Sequence, residues 1–267
     1  MRVLVAFLLL FAASWPAHGQ TIWTRPYQPN QIAVEWVVPS FEDETVNGTT
    51  SAAFFNVTHS LTTNVELMGE LPVAYYSADR ETGATSTSAI GNPYLGVGLS
   101  GTTTPFLLEL GVRLPAAPDN EATGAGGFAD VGRGSAFRHD AFNASALFNW
   151  RIPFGRRTSL RIRTGGVFAS YPDSTDNTER DFRLRYSAQL WRTGDPILLG
   201  LSAAGRVSFS TPDTAPATNT RHTLAGSVMV DFEAVQPGIL VGVALDDDVR
   251  DVASFFVGLT LSTSYGQ

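Results

Sequence analysis

Val252-Ala-Ser-Phe-Phe-Val-Gly-Leu-Thr-Leu-Ser-Thr-Ser-Tyr265 is the stretch whose reading decides the fold. Successive side chains of a strand point to opposite faces. Here one face carries Ala253, Phe255, Val257, Leu259 and Leu261, and the other Ser254, Phe256, Gly258, Thr260, Ser262 and Ser264. An apolar stripe set against small hydroxyl residues makes poor packing for a core on either side. It suits a strand with lipid on one face and water on the other.

The same alternation recurs upstream in two runs, Ser159–Tyr171 and Asp181–Trp191. Leu160, Ile162 and Phe168 oppose Arg161 and Arg163 in the first; Phe182, Leu184, Tyr186, Ala188 and Leu190 oppose Asp181, Arg183, Arg185, Ser187 and Gln189 in the second. This is a hairpin with an apolar wall and an arginine wall. In a soluble sheet the apolar wall is the core, whereas in a transmembrane barrel it meets lipid and the arginines line the lumen. The hairpin by itself fits both.

The remaining chain favours the barrel. Further strands are expected at Ile32–Val38, Ser51–Thr58, Asn64–Tyr76, Ile90–Leu99, Pro105–Leu114, Phe137–Ile152, Ile197–Phe209, His222–Phe232 and Ile239–Asp246, about twelve in all. Connections alternate between short turns, such as Thr193-Gly-Asp-Pro196 and Gln236-Pro-Gly238, and longer polar segments, such as Ser77–Ser88 and Ser210–Arg221. The longest, Pro115–Ala136, is Gly/Ala/Asp-rich and without periodicity, and reads as a loop. Sorting of loops by parity, an even strand count and long strands describe an antiparallel up-and-down transmembrane β-barrel.

The N-terminus, Met1-Arg2 followed by the apolar run Val3–Ala13 and the small residues of Ala17-His18-Gly19, reads as a signal peptide over residues 1–20. Residues 21–267 then form one barrel domain. No second run is long and apolar enough for a helical span. Cysteine is absent, which excludes thiolate metal sites, a cysteine nucleophile and an N-terminal lipidated cysteine. All 18 basic residues are Arg, and the net charge of −7 argues against a nucleic-acid partner.

Assigning the polar faces to the lumen gives its charged lining: Glu35, Glu66, Glu70, Glu109 and Arg113 from the first five strands, and Arg161, Arg163, Arg183, Arg185 and Arg206 from the seventh to ninth. Two readings of this map stand together. Facing acidic and basic walls orient a passing solute, or the same groups pair and plug a narrow lumen. No catalytic residues, metal site or cofactor are expected. His18 lies in the leader and His59 in a turn, while His139 and Ser145 are too far apart on one strand to hydrogen-bond. Asp246-Asp-Asp248 reads as a solvated acidic turn rather than a Ca²⁺ site.

The strands Asn64-Val-Glu-Leu-Met-Gly-Glu-Leu-Pro-Val-Ala-Tyr-Tyr76 and Ile90-Gly-Asn-Pro-Tyr-Leu-Gly-Val-Gly-Leu99 resemble the outer-membrane barrels named for the meta-pathway of phenol degradation. Tyr265 near the end of the last strand likewise resembles the C-terminal aromatic of outer-membrane proteins, here with Gly266 and Gln267 following. The resemblance implies a passive, transporter-like channel in a bacterial outer membrane for small solutes, hydrophobic or aromatic compounds among them. It carries no site residues. A non-conducting structural or surface-interaction barrel and a secreted soluble β-protein are the alternatives, and oligomeric state is open.

Overall fold

The computed structural model describes residues 30–41, 48–80, 83–101, 106–172, 178–209 and 220–266. The expected signal peptide and residues 210–219 of the expected Ser210–Arg221 loop lie outside them. Thirteen strands occur: β1 Gln31–Phe41, β2 Gly48–Ser60, β3 Val65–Arg80, β4 Gly83–Ile90, β5 Tyr94–Ser100, β6 Phe106–Arg113, β7 Phe142–Phe154, β8 Thr158–Pro172, β9 Thr178–Thr193, β10 Ile197–Ser208, β11 Thr220–Val230, β12 Gln236–Ala244 and β13 Ala253–Ser264. All pairings are antiparallel, and the β1–β13 and β2–β3 ladders close twelve of the strands into a barrel, with β4 as an extra strand.

The alternation read from the sequence sets which face is outward. Trp36, Phe55, Leu67, Phe168, Phe182, Leu201, Leu259 and Leu261 are exposed on the outer surface, while Ala33, Glu35, Glu66, Leu107 and Ser262 are buried on the inner one. No described helix is long and apolar enough to cross a membrane, and the crossing elements are strands. The expected strand positions agree within a few residues except in two places.

The first difference is β4, which occupies part of the segment expected to be a polar loop. Its composition, Gly-Ala-Thr-Ser-Thr-Ser-Ala-Ile, has no apolar stripe because its second edge is unpaired and its residues Ala84, Thr85 and Ser86 are exposed. β3 is bordered by β2 along one edge, and on the other by β5 from Val65 to Glu70 and by β4 from Val73 to Arg80. Between them, at Gly91-Asn92-Pro93, the register slips by one residue: Glu70 faces Tyr94, yet Val73 faces Ile90. This is a bulge, which proline and glycine favour because one lacks a ladder donor and the other tolerates close backbone approach.

The second difference is larger. Pro115–Ala136, expected to be a loop, folds into the barrel as helix α1, Glu121–Ala129, followed by a 3₁₀ turn at Val131–Phe137, so that Phe137 belongs to this segment and not to β7. Asn120 caps α1 by accepting a 2.9 Å bond from the Thr123 amide, and Glu121 places an acid on its first turn. The helix has no periodic signature because Glu-Ala-Thr-Gly-Ala-Gly-Gly-Phe-Ala has small residues on every side. Inside a barrel that composition is what fits. A Cβ at Gly126 would stand 2.6 Å from the Ala74 Cβ, so α1 packs against β3 only because the residue is glycine.

Candidate functional site, a charge-lined lumen with an internal plug

Two anchors hold the inward segment. Asn92, fully buried at the bulge, accepts bonds from the amides of Ala116 (2.7 Å) and Ala117 (2.8 Å) through Oδ1 and donates through Nδ2 to the carbonyls of Ser135 (3.2 Å) and Arg138 (2.6 Å). One side chain therefore ties down both the start and the end of the segment. The Asn92 amide donates to Ala136 O at 2.6 Å, and a Cβ at Gly91 would stand 2.3 Å from that oxygen. The bulge is thus the docking point.

Arg133 is the second anchor. Its guanidinium, 2 % exposed, meets Glu35 at 2.6 Å, Glu70 at 3.1 Å and Asp130 at 2.5 Å, and lies 3.7 Å from the centre of the Phe54 ring. Burial alone lowers its proton affinity; Glu35, Asp130 and Glu70 more than reverse this and hold it above the ordinary arginine range. Glu70 also pairs with Arg113 at 2.6 Å, and Arg113 donates to the Asn92 carbonyl at 2.7 Å, which joins the two anchors in one network.

Around them an apolar cluster spans the lumen. Ala122, Ala129, Ala136 and Phe137 of the inward segment meet Val37, Ala52, Phe54, Ala74 and Ala89 from one side and Ala225, Leu240 and Phe256 from the other. Phe256 lies on the polar face of the last strand. It is a lumenal contact for the plug.

All ten expected lining residues are placed on the inner side, but their pairing differs from the expected facing walls. Glu109 on β6 pairs with Arg163 on β8, which is a neighbour across β7 and not an opposite wall, and also accepts a 2.8 Å bond from the Tyr94 hydroxyl. Glu35 and Glu70 are met by Arg133 from the plug. Arg183 pairs with Asp181 of its own strand, and Arg161 donates to Asn149 Oδ1 at 2.6 Å. Glu66 is buried against Gly98. The acidic side is thereby neutralised by Arg113 and Arg163 of the sequence map together with a residue that the map did not include, Arg133. The arginine side keeps Arg185 and Arg206, to which Arg221 on β11 is added by register.

A cavity of about 30 Å³ remains beside the plug, lined by Tyr94, Arg113, Arg133, Ser135, Asn143 and Arg185 among others. That is room for roughly two water molecules. The described residues include no group of three or more His, Cys, Asp or Glu placed to hold a metal. Asp246 is used within the protein: it accepts from the His222 amide, and its Oδ1 lies 2.9 Å from His222 Nδ1. His222 Nε2 is in turn 2.5 Å from Tyr186 Oη, beside Gly205. Asp246, His222 and Tyr186 thus form an aligned carboxylate, imidazole and phenol.

No protein-family model and no curated protein matches the sequence. Among solved structures the chain is similar to the NanC porin (8 % identity, TM-score 0.56, covering 88 % of this chain and 100 % of that one). It is similar also to the translocator domain of the autotransporter NalP from Neisseria meningitidis (12 %, TM-score 0.54, 88 % of each chain). A third is the KdgM porin (9 %, TM-score 0.50, 88 % and 99 %). The chain has the fold of outer-membrane β-barrels. At these identities the likeness concerns the fold alone.

Proposed function

We propose that the protein is a channel-like barrel of the Gram-negative outer membrane through which small polar solutes pass passively, with residues 115–141 as the internal plug that sets the bore. The observation that carries this reading is the division of the wall into an apolar exterior and an interior that holds the buried carboxylates and arginines, an arrangement that a soluble protein would invert. Porins among the structural neighbours support it at the level of fold. The resemblance to the phenol meta-pathway barrels implies hydrophobic or aromatic solutes. The lining argues for polar ones, since it holds buried arginines and carboxylates such as Glu66, Glu109, Arg161 and Arg183.

Cell fractionation with a gel of boiled and unboiled samples tests the location: the protein stays with the outer membrane and migrates differently when unboiled. Recovery in the soluble fraction with identical migration refutes it. Planar-bilayer conductance tests passage.

The non-conducting barrel is a second reading, and it has its own observation, the apolar cluster that bridges the lumen from β1–β4 to β11–β13. It predicts no current from the wild type and none after the plug is released. The channel reading predicts current that grows on release.

A further inference from the structure

The register of the ninth to eleventh strands stacks like charges. Arg185 on β9 lies directly opposite Arg206 on β10, and Arg206 directly opposite Arg221 on β11, all on the lumenal side. Directly opposed cross-strand side chains have Cβ atoms about 5 Å apart, and like charges there destabilise a sheet. Elsewhere in this lumen each guanidinium described above has a carboxylate or an amide acceptor. These three have no described ion pair. Among the described residues Arg185 donates to the Ser135 hydroxyl, at 3.3 Å, and its Nε is buried without a partner. Arg206 is surrounded by the guanidiniums of Arg221, Arg183 and Arg185, and the carboxylate of Asp181 that acts against them is already engaged by Arg183 and the Ser208 hydroxyl (2.6 Å).

The surroundings are donor-rich as well. The plug turn approaches with Gly134, whose Cβ position is 3.6 Å from Arg206 Nη1, and with the Ser135 hydroxyl. The 30 Å³ cavity begins at Arg185 and is lined also by Arg163 and Asn143. Arg163 Nε and both amide atoms of Asn143, Nδ2 and Oδ1, are buried there without partners. Among the described residues the wall thus offers unfilled N–H donors on Arg185, Arg163 and Asn143 beside a row of three guanidiniums, with Asn143 Oδ1 as an unfilled acceptor in the same cavity.

We propose that Arg185, Arg206 and Arg221, with the Ser135 hydroxyl, form an anion-binding station for solutes that carry a doubly charged oxyanion group, a phosphate monoester or a dicarboxylate. Planar guanidinium forks bind the oxygen pairs of such groups with two parallel bonds, which a halide does not satisfy. Three charges in a row favour a dianion over a monoanion. Position names the source: these residues face the lumen, so the ligand is a solute and not a lipid headgroup. The inference names the solute class for the proposed passage and rests on that reading.

The test uses the full-length folded barrel in detergent, inorganic phosphate as probe, and chloride and acetate at equal ionic strength as comparisons. Calorimetry should give saturable binding of one phosphate per barrel, with acetate bound at least tenfold more weakly. R206Q and R221Q should each weaken phosphate about tenfold, the loss of one charge-assisted contact. R156Q/R157Q, in the exposed turn between β7 and β8, should leave it unchanged. A second readout separates binding from simple charge relief. R206Q should raise the unfolding temperature in chloride, and phosphate should raise that of the wild type but not of R206Q. Absence of saturable binding, or equal loss in R156Q/R157Q and R206Q, overturns the station. Binding as expected without any bilayer current leaves the station standing and removes passage; current without phosphate binding does the reverse.

Discussion

Replacing Arg133 with methionine keeps the length of the side chain and removes the charge that docks the plug. The consequence can be sized from the structure. Glu35 and Asp130 lose their guanidinium partner, whereas Glu70 keeps Arg113 at 2.6 Å. Removing one partner of a buried ion pair costs about 3–5 kcal/mol, and stacking on Phe54 at 3.7 Å adds roughly 1 kcal/mol more. Because Glu70 is still paired, the lower end, about 3–4 kcal/mol, is expected.

The remaining anchors do not change. Asn92 supplies four hydrogen bonds of about 1 kcal/mol each, and the apolar cluster persists. A loss of 3–4 kcal/mol moves the docked-to-released ratio by roughly 10² to 10³. The barrel itself should survive, since its ladders do not involve residue 133. In planar bilayers R133M should therefore show larger or more frequent openings than wild type, with faster hydrogen exchange at the Ala116 and Ala117 amides. R133K should be intermediate, because an ammonium carries the charge but cannot fork across three carboxylates. Wild-type conductance and wild-type protection in an R133M barrel that still migrates as folded would falsify the docking role.

Asn92→Ala removes the tie between both ends of the plug and should cost about 2–4 kcal/mol of docking, read as faster exchange at residues 116, 117 and 135–138 with barrel ladders still protected. Gly91→Val places a side chain where the Ala136 carbonyl sits, 2.3 Å from the Cβ position, and Gly126→Val does the same against Ala74; each should release the plug without unfolding the barrel, seen as raised conductance with unchanged unboiled migration. Glu109→Gln deprives Arg163 of its carboxylate, so ion selectivity should shift toward anions, measured as the change in reversal potential in a KCl gradient. An unchanged reversal potential would show that the current does not pass this wall.

The wall was legible in the sequence and the plug was not. Period-two alternation in Ser159–Tyr171, Asp181–Trp191 and Val252–Tyr265 assigned inner and outer faces because a membrane barrel enforces the same rule on every strand. α1 has no such rule. Its partners surround it, so its apolar and small residues show no stripe, and only Asn120 followed by Glu121 marked its start. Pairing was equally hidden. Arg133 reaches Glu35, Glu70 and Asp130, two of them far away in sequence, and a charge map drawn strand by strand leaves out any group supplied from inside the lumen. The sequence did carry one clue to the plug. Gly91-Asn92-Pro93 stands in a strand where three ladder-poor residues in succession are unfavourable, and a break of that kind needs another partner for its backbone.

That partner explains why acids and arginines are distributed as they are. The plug brings Arg133 to the wall of β1 to β3, and Glu35 and Glu70 are buried there because a cation arrives to meet them. On the opposite side it brings, among the described residues, the Ser135 hydroxyl to Arg185 and Gly134 to Arg206. A plug evolved simply to seal the lumen would gain by presenting a carboxylate to those arginines, since an opposed row of like charges lowers the stability of the sheet. Asp130 is close in sequence but points to Arg133. The row of opposed like charges is thus a stability cost that a seal alone does not require and that a transient anionic occupant would relieve. It follows that stability and binding should be antagonistic at this row. Gln at Arg206 should stabilise the empty barrel and weaken phosphate binding together, whereas a purely structural row should show the first effect without the second.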